Sequence, residues 1–215
     1  MSGYRPTTDL WLLARPKVKF YGAYPSGFLS RARELLGVGH EDAVLHVCAG
    51  MVRDYPFDGF GPKDKTLDLD PATDPDFLMD ARDIRVNPDG TAYPEAPIRL
   101  HDHQLLWPAV LIDRPYTEED AKHYAPLVHD KLPNINTLLK AALTIVPPGG
   151  KVGVLDYFVP RPPKKGVKFV ALVGVLVGFG NRMRAYSVFE REPVKTAEQK
   201  RRVSEAILGK RKPKE

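Results

Sequence analysis

Four short apolar segments in the first two-thirds of the chain each run into an acid or a glycine, and this pattern narrows the fold more than any other feature. "AVLHVCAG" (43–50) closes on Gly50, "KTLDLDP" (65–71) carries Asp68, "PDFLMDARDI" (75–84) carries Asp80, and "AVLID" (109–113) ends in Asp113. Short unbroken apolar runs bounded by turn residues predict strands buried on both faces, and such strands pair in parallel. Parallel strands need crossovers, which are usually helices.

The sequence supplies helices between them. "SGFLSRARELLGVGH" (26–40) sets Phe28, Leu29, Ala32, Leu35 and Leu36 at helical spacing, with Ser26 as the expected cap and Gly37 and Gly39 past the end. Two further helices are expected around "TEEDAKHYAPLV" (117–128) and "NINTLLKAALTIV" (134–146), the second closed by "PPGG". The last third reads as strands: "KVGVLDYFV", "VKFVALVGVLVGFG" and "RMRAYSVFER", with Gly180-Asn181 as a hairpin turn between the last two. The expected fold is α/β, a mixed and mostly parallel sheet finished by a C-terminal antiparallel hairpin. Residues 85–108, with Asn87-Pro88-Asp89-Gly90, read mostly as loop.

At 215 residues and 43% hydrophobic content, one well-filled domain is expected over residues 1–194. The single cysteine, Cys48, excludes an internal disulfide and a multi-cysteine zinc site, which points to a reduced compartment. No apolar run reaches membrane-spanning length, and the first 22 residues lack the basic and apolar regions of a signal peptide, so a cytoplasmic protein is expected with no membrane partner. The formal net charge of +5 is that of residues 195–215, which hold eight Lys/Arg and three Glu; the remaining residues balance at 24 basic and 24 acidic. This tail is either a solvated end or a source of phosphate contacts to nucleic acid.

Aligned in parallel, the strands would present Gly50, Asp68, Asp80 and Asp113 along one edge, where ligands bind in such sheets. A glycine after the first strand lets a ligand approach the backbone, and an acid after the second accepts ribose hydroxyls. The ordered set is therefore a nucleoside-binding signal. Each acid alone is also an ordinary turn or helix cap.

The same set resembles the class I S-adenosylmethionine-dependent methyltransferases, and among them the amino-methyltransferases with an Asp-Pro-Pro-Tyr signature. "VLHVCAG" takes the place of the cofactor-binding glycine motif, with His46, Cys48 and Gly50 in it, and "TLDLDP" puts Asp68 in the place of the ribose-binding acid. "MDARD" is similar to the next motif, with Asp80 and the Ala81 backbone beside the adenine. "FYGAYPSGF" resembles the element that holds the methionine end, through Tyr24, Ser26 and Gly27. "IDRPY" takes the place of the catalytic motif, as Asp113, Arg114, Pro115 and Tyr116, with Arg114 where the family has a first proline. The resemblance runs from about residue 20 to residue 191. It implies a Rossmann-like fold, S-adenosylmethionine as cofactor, and methyl transfer to an exocyclic amine in nucleic acid, DNA ahead of RNA, with adenine N6 the leading acceptor and a protein or small-molecule amine the alternative.

In that chemistry Asp113 and the Arg114 carbonyl would accept the two amine hydrogens and Tyr116 would stack on the base, which must leave the helix if the substrate is a duplex. Asp113 capping the next helix, with Pro115 in its first turn and Tyr116 in the core, explains the same letters. The expected role of Cys48 on its residues alone is a small buried hydrophobe, and that of His46 a satisfied strand histidine. "HDH" (101–103) reads as a surface loop rather than a metal site, because neighbouring histidines of a strand face opposite ways. A non-catalytic module on the same fold and a dinucleotide oxidoreductase are the competing classes. The missing G-x-G-x-x-G after the first strand counts against the second.

Overall fold

The computed structural model describes residues 5–15, 17, 24–55, 57–84, 106–119, 121, 132–178 and 182–193. In chain order the main elements are β1 (Thr7–Leu13), α1 (Phe28–Leu36), β2 (Val44–Val47), β3 (Lys65–Asp68), β4 (Phe77–Leu78), β5 (Ala109–Ile112), α2 (Ile135–Thr144), β6 (Lys151–Asp156), β7 (Val167–Val177) and β8 (Arg184–Arg191). The eight strands form one sheet in the order β1-β7-β8-β6-β5-β2-β3-β4. Only β8 runs antiparallel to its neighbours, facing β6 and β7; the other pairings are parallel. The carboxyl ends of β2, β3, β5 and β6 therefore share one edge of the sheet with the amino end of β8.

Both faces of the central strands are dry, which is why β2 and β5 read as unbroken apolar runs. On one face Leu45, Val47, Val110, Ile112, Val152 and Val154 meet Leu138, Leu139 and Ala142 of α2. On the other, Val44, Leu111, Val173, Val175 and Tyr186 meet Phe28, Leu29 and Ala32 of α1. Each such aliphatic side chain, fully withdrawn from water, contributes about 1.5–3 kcal/mol. Gly153 in β6 leaves room for the Tyr186 ring, which a methyl group there would strike. The Tyr186 hydroxyl lies 3.4 Å from the Ala32 carbonyl of α1 and ties that helix to the sheet.

Several expectations are corrected. Ser26 does not cap α1: its amide bridges back to the Ala14 carbonyl at 3.2 Å, and Gly27 takes the cap position at φ +80°, a left-handed geometry glycine adopts without strain. The segment 75–84 is a strand only at Phe77–Leu78, because Asp80 turns the chain by accepting the Arg82 amide at 2.8 Å and starting a short 3-10 turn, Ala81–Asp83. The opening of the chain, where the sequence predicts no strand, holds β1, parallel to β7. The helix expected at 117–128 begins with the Ala121 amide bonded to the Thr117 carbonyl at 3.0 Å, and its remainder lies outside the described residues. Also outside them are the Gly180-Asn181 turn, "HDH", the segment 85–105 and the basic tail, although the hairpin pairing of β7 with β8 is present. No helix among the described residues is long and apolar enough to cross a membrane.

Candidate active site

After β2 the chain turns sharply at Cys48, whose φ of +56° is left-handed, and Gly50 follows at φ +51°. The Gly50 amide donates to Asp68 Oδ2 at 2.8 Å, while Asp68 Oδ1 accepts from the Leu69 and Asp70 amides at 2.7 and 3.0 Å. The carboxylate at the end of β3 thus fixes both its own turn and the glycine turn beside it. A carboxylate offers about four lone-pair positions, so three amides leave room for one more donor. A methyl group placed on Gly50 would meet nothing within 4 Å, so the space beside this glycine is open. This combination fits a ribose hydroxyl on Asp68 with the sugar laid against Gly50.

One strand further on, the Asp80 carboxylate grips the Arg82 guanidinium in addition to its amide, with Nε at 2.9 and 3.0 Å. Ala81 is buried beside it. The thiol of Cys48 is pushed well above its ordinary range by burial first and then by the charges of Asp68, Asp113 and Asp80. Because β4, β3, β2 and β5 are parallel neighbours, Asp80, Asp68, Gly50 and Asp113 follow their carboxyl ends along the same edge of the sheet.

β5 continues through the Asp113 amide, bonded to the Val47 carbonyl at 3.2 Å. Asp113 Oδ1 accepts the Tyr116 hydroxyl at 2.5 Å, and that hydroxyl in turn accepts from the Arg184 guanidinium at 3.0 Å. Burial pushes the Asp113 carboxyl up to about 7, with Arg184 and Tyr116 opposing and the Asp156 charge adding to the rise. The Tyr116 ring meets Tyr157 at a centroid distance of 4.6 Å, and the Arg184 guanidinium lies 5.9 Å from its centre. Arg114, in the place of a proline, turns its side chain inward: it is buried, and its Nε lies 2.9 Å from Asp156 Oδ2 at the end of β6. The N–H is not aimed along that line, so the contact is one of charge rather than a formed hydrogen bond. Burial raises the Asp156 carboxyl and Arg114 works against it.

The remaining sequence candidates fall in two places. Tyr24 is buried, stacked on Phe28 at 5.0 Å and edge-on to Tyr55 at 5.6 Å, and its hydroxyl is raised by burial and then by the Asp113 charge. Ser26 and Gly27 form the turn just after it. His46 is not brought to the edge: it faces the interior, Nε2 at 3.0 Å from Asp64 Oδ2, where Asp64 also holds Arg33 and the Val44 and Gly61 amides. Burial alone would raise the Asp64 carboxyl, but His46, the Gly61 amide and Arg33 together hold it below its ordinary value. His46 thus belongs to a buried polar knot that clamps α1 and the loop before β3 onto β2.

The sequence reading missed Asp156, Arg184 and Tyr157. Asp156 ends its strand as Asp113 does, so the strand-end rule already applied would have found it. Arg184 opens β8, and its place follows once that strand is known to run against the others. No group of three or more His, Cys, Asp or Glu among the described residues is placed to hold a metal.

No protein-family model matches the sequence. No curated protein matches it either. Solved structures do. TrmN from Thermus thermophilus superposes with a TM-score of 0.51 at 18% identity, over 80% of this chain and 50% of that one, so this chain spans about half of TrmN's length. A putative SAM-dependent methyltransferase from Streptococcus mutans follows at 0.47 and 12%, over 75% of this chain and 48% of that one. The N-methyltransferase NodS from Bradyrhizobium japonicum WM9, in complex with S-adenosyl-l-homocysteine, gives 0.47 and 8%, over 77% and 86%. At such identities the likeness is one of architecture, and the chain has the Rossmann-like, mostly parallel α/β fold of the class I methyltransferases.

Proposed function

We propose that this protein is an S-adenosylmethionine-dependent methyltransferase acting on an exocyclic amine of a nucleic-acid base, with adenine N6 of DNA as the leading acceptor. The observation that carries the reading is the meeting of two pairs on adjacent strands: Gly50 bonded to Asp68, and Tyr116 bonded to Asp113. The first pair fits a nucleoside sugar, the second an amine-bearing ring, and the half-buried Cys48 turn joins them.

When bound, the sulfonium cofactor supplies an electrophilic methyl group and its own leaving group. The protein's work is then alignment. With Oδ1 held by Tyr116, Asp113 Oδ2 is the oxygen left to accept one amine hydrogen, and the Arg114 carbonyl is the second acceptor. Two acceptors draw the nitrogen lone pair out of the ring and stabilise the positive charge that grows on nitrogen. The inward turn of the Arg114 side chain toward Asp156 keeps its bulk out of this space. Tyr116, held at its hydroxyl by Asp113 and Arg184, offers a fixed ring for stacking the base.

The test is transfer of isotopically labelled methyl groups from S-adenosylmethionine to unmethylated DNA and RNA, followed by digestion to nucleosides. Label recovered as N6-methyldeoxyadenosine supports the reading in full, and label in an RNA amine supports its chemistry with the other polymer. Label in no nucleic-acid amine overturns it.

A further inference from the structure

The balanced charge of residues 1–194 conceals a division within the fold. Between Asp156 and Glu190 the chain carries no acid at all, while Arg161, Lys164, Lys165, Lys168, Arg182 and Arg184 are basic. With residues 1–194 balanced overall, the rest of that stretch holds six more acids than bases. The basic character of the folded part is thus concentrated in the segment that leaves the candidate site.

That segment starts beside the site and is stiff. Tyr157 packs on Tyr116 at 4.6 Å, and the Arg182 guanidinium lies 5.9 Å from the centre of the Tyr157 ring. The Phe158 amide is anchored on Asp156 Oδ1 at 3.1 Å, and its ring is 67% exposed, with Val159 beside it at 44%. Pro160 is buried, the Arg161 amide is held by Asn136 Oδ1 at 2.6 Å on the first turn of α2, and Pro162 and Pro163 restrict the backbone that leads to exposed Lys164 and Lys165. An exposed aromatic residue directly after the tyrosine that packs on Tyr116, followed by cations on a fixed track, matches the two demands of an unpaired strand: a platform for a base and partners for the phosphates. A duplex cannot offer a base face to Phe158 without unstacking.

We propose that residues 157–165, with Arg182, form the binding surface for an unpaired nucleic-acid strand flanking the target base, Phe158 stacking the neighbouring base and Arg161, Lys164 and Lys165 meeting the phosphates. This rests on the methyltransferase reading only for the identity of the target; the surface itself is a matter of binding. It makes a single-stranded or locally opened substrate the preferred one.

The experiment is fluorescence anisotropy with the full-length chain and labelled 12-residue single-stranded DNA, single-stranded RNA and duplex DNA, with polyglutamate as an acidic competitor. Phe158→Ala is expected to weaken single-strand binding about tenfold, and Phe158→Trp to restore it. The triple variant Arg161→Ala, Lys164→Ala, Lys165→Ala is expected to lower the slope of log affinity against log salt by about 2, at roughly 0.7 per phosphate contact. S-adenosylhomocysteine affinity stays unchanged in all of them, which also reports intact folding. Single-strand affinity unaffected by Phe158→Ala overturns the proposal, as does an equal loss on duplex, or polyglutamate competing as well as the oligonucleotide. Preference for RNA over DNA, or the reverse, supports the surface and identifies its polymer. If Phe158 governs strand binding while no methyl transfer occurs, the functional reading fails and the surface stands; if methyl transfer occurs without dependence on Phe158, the surface fails and the reading stands.

Discussion

The Tyr116 hydroxyl donates to Asp113 Oδ1 at 2.5 Å, so the two residues read from the sequence as acid and stacking platform are bonded to each other before any substrate arrives. One oxygen of the acid is committed to orienting the ring. Replacing Asp113 by Asn should reduce methyl transfer by about 10²-fold or more, a loss typical of removing a group that stabilises charge in the transition state. S-adenosylhomocysteine affinity by calorimetry should stay within about twofold, because the sugar is proposed to sit on Asp68 and Gly50 instead. Full activity in this variant removes Asp113 from the chemistry.

The raised carboxyl of Asp113 gives a pH signature. Only the carboxylate accepts from the amine, so activity should climb as pH rises through about 7. Arg184 holds that carboxyl lower than burial alone would leave it, so Arg184→Met should move the climb to higher pH, whereas a merely structural loss would scale the profile without shifting it. Rates under saturating substrate from pH 5.5 to 9 separate the two.

Stability runs the opposite way. The folded state keeps a proton on Asp113 that the unfolded chain releases near pH 3.8, so this contribution is fully present below that pH and is lost as pH rises through about 7. The amide of Asp113→Asn never ionises. Its melting temperature relative to the parent should therefore increase between pH 4 and 7 and level off above.

Asp68→Ala removes the acceptor for three backbone amides as well as the proposed sugar contact. S-adenosylmethionine affinity should fall by tenfold or more, with faster amide hydrogen exchange at Gly50 and Asp70 as a readout independent of ligand. Unchanged exchange at those amides would count against the turn-fixing role.

Away from the edge, Asp64→Asn leaves Arg33 buried with its charge unpaired. Breaking such a pair costs about 3–5 kcal/mol, which urea unfolding followed by circular dichroism would register. A loss under 1 kcal/mol would mean that water reaches Arg33.

The central strands were legible because burial on both faces leaves an unmistakable apolar run, whereas their order in the sheet was not. β1 was not legible. Thr7 to Leu10 are exposed, so only Trp11 and Leu13 record its inward face, too few residues to set a period. The stretch after Leu78 misled for a different reason: the Asp80 side chain takes the Arg82 amide, and this local bond turns the chain away from the strand. Asp68, Asp80 and Asp113 were found by position alone, whereas Arg184 depended on strand direction and His46 on a partner, Asp64, eighteen residues away. Distant partnerships of that kind leave no local trace.

Thr7 pairs with Ala171 and Leu13 with Val177, so β1 leaves the ribosome long before its neighbour β7 exists. β8, made later still, then takes its place between β7 and β6. Contacts closed over so many residues are slow to form and reward the chain only at the end. Trp11, packed at 5.9 Å from Tyr186 of that last strand, is consequently a natural fluorescent reporter of the final folding step. An arrested nascent chain ending before β7 would carry β1 as an unpaired, aggregation-prone segment, a burden that falls on whatever receives the polypeptide during synthesis.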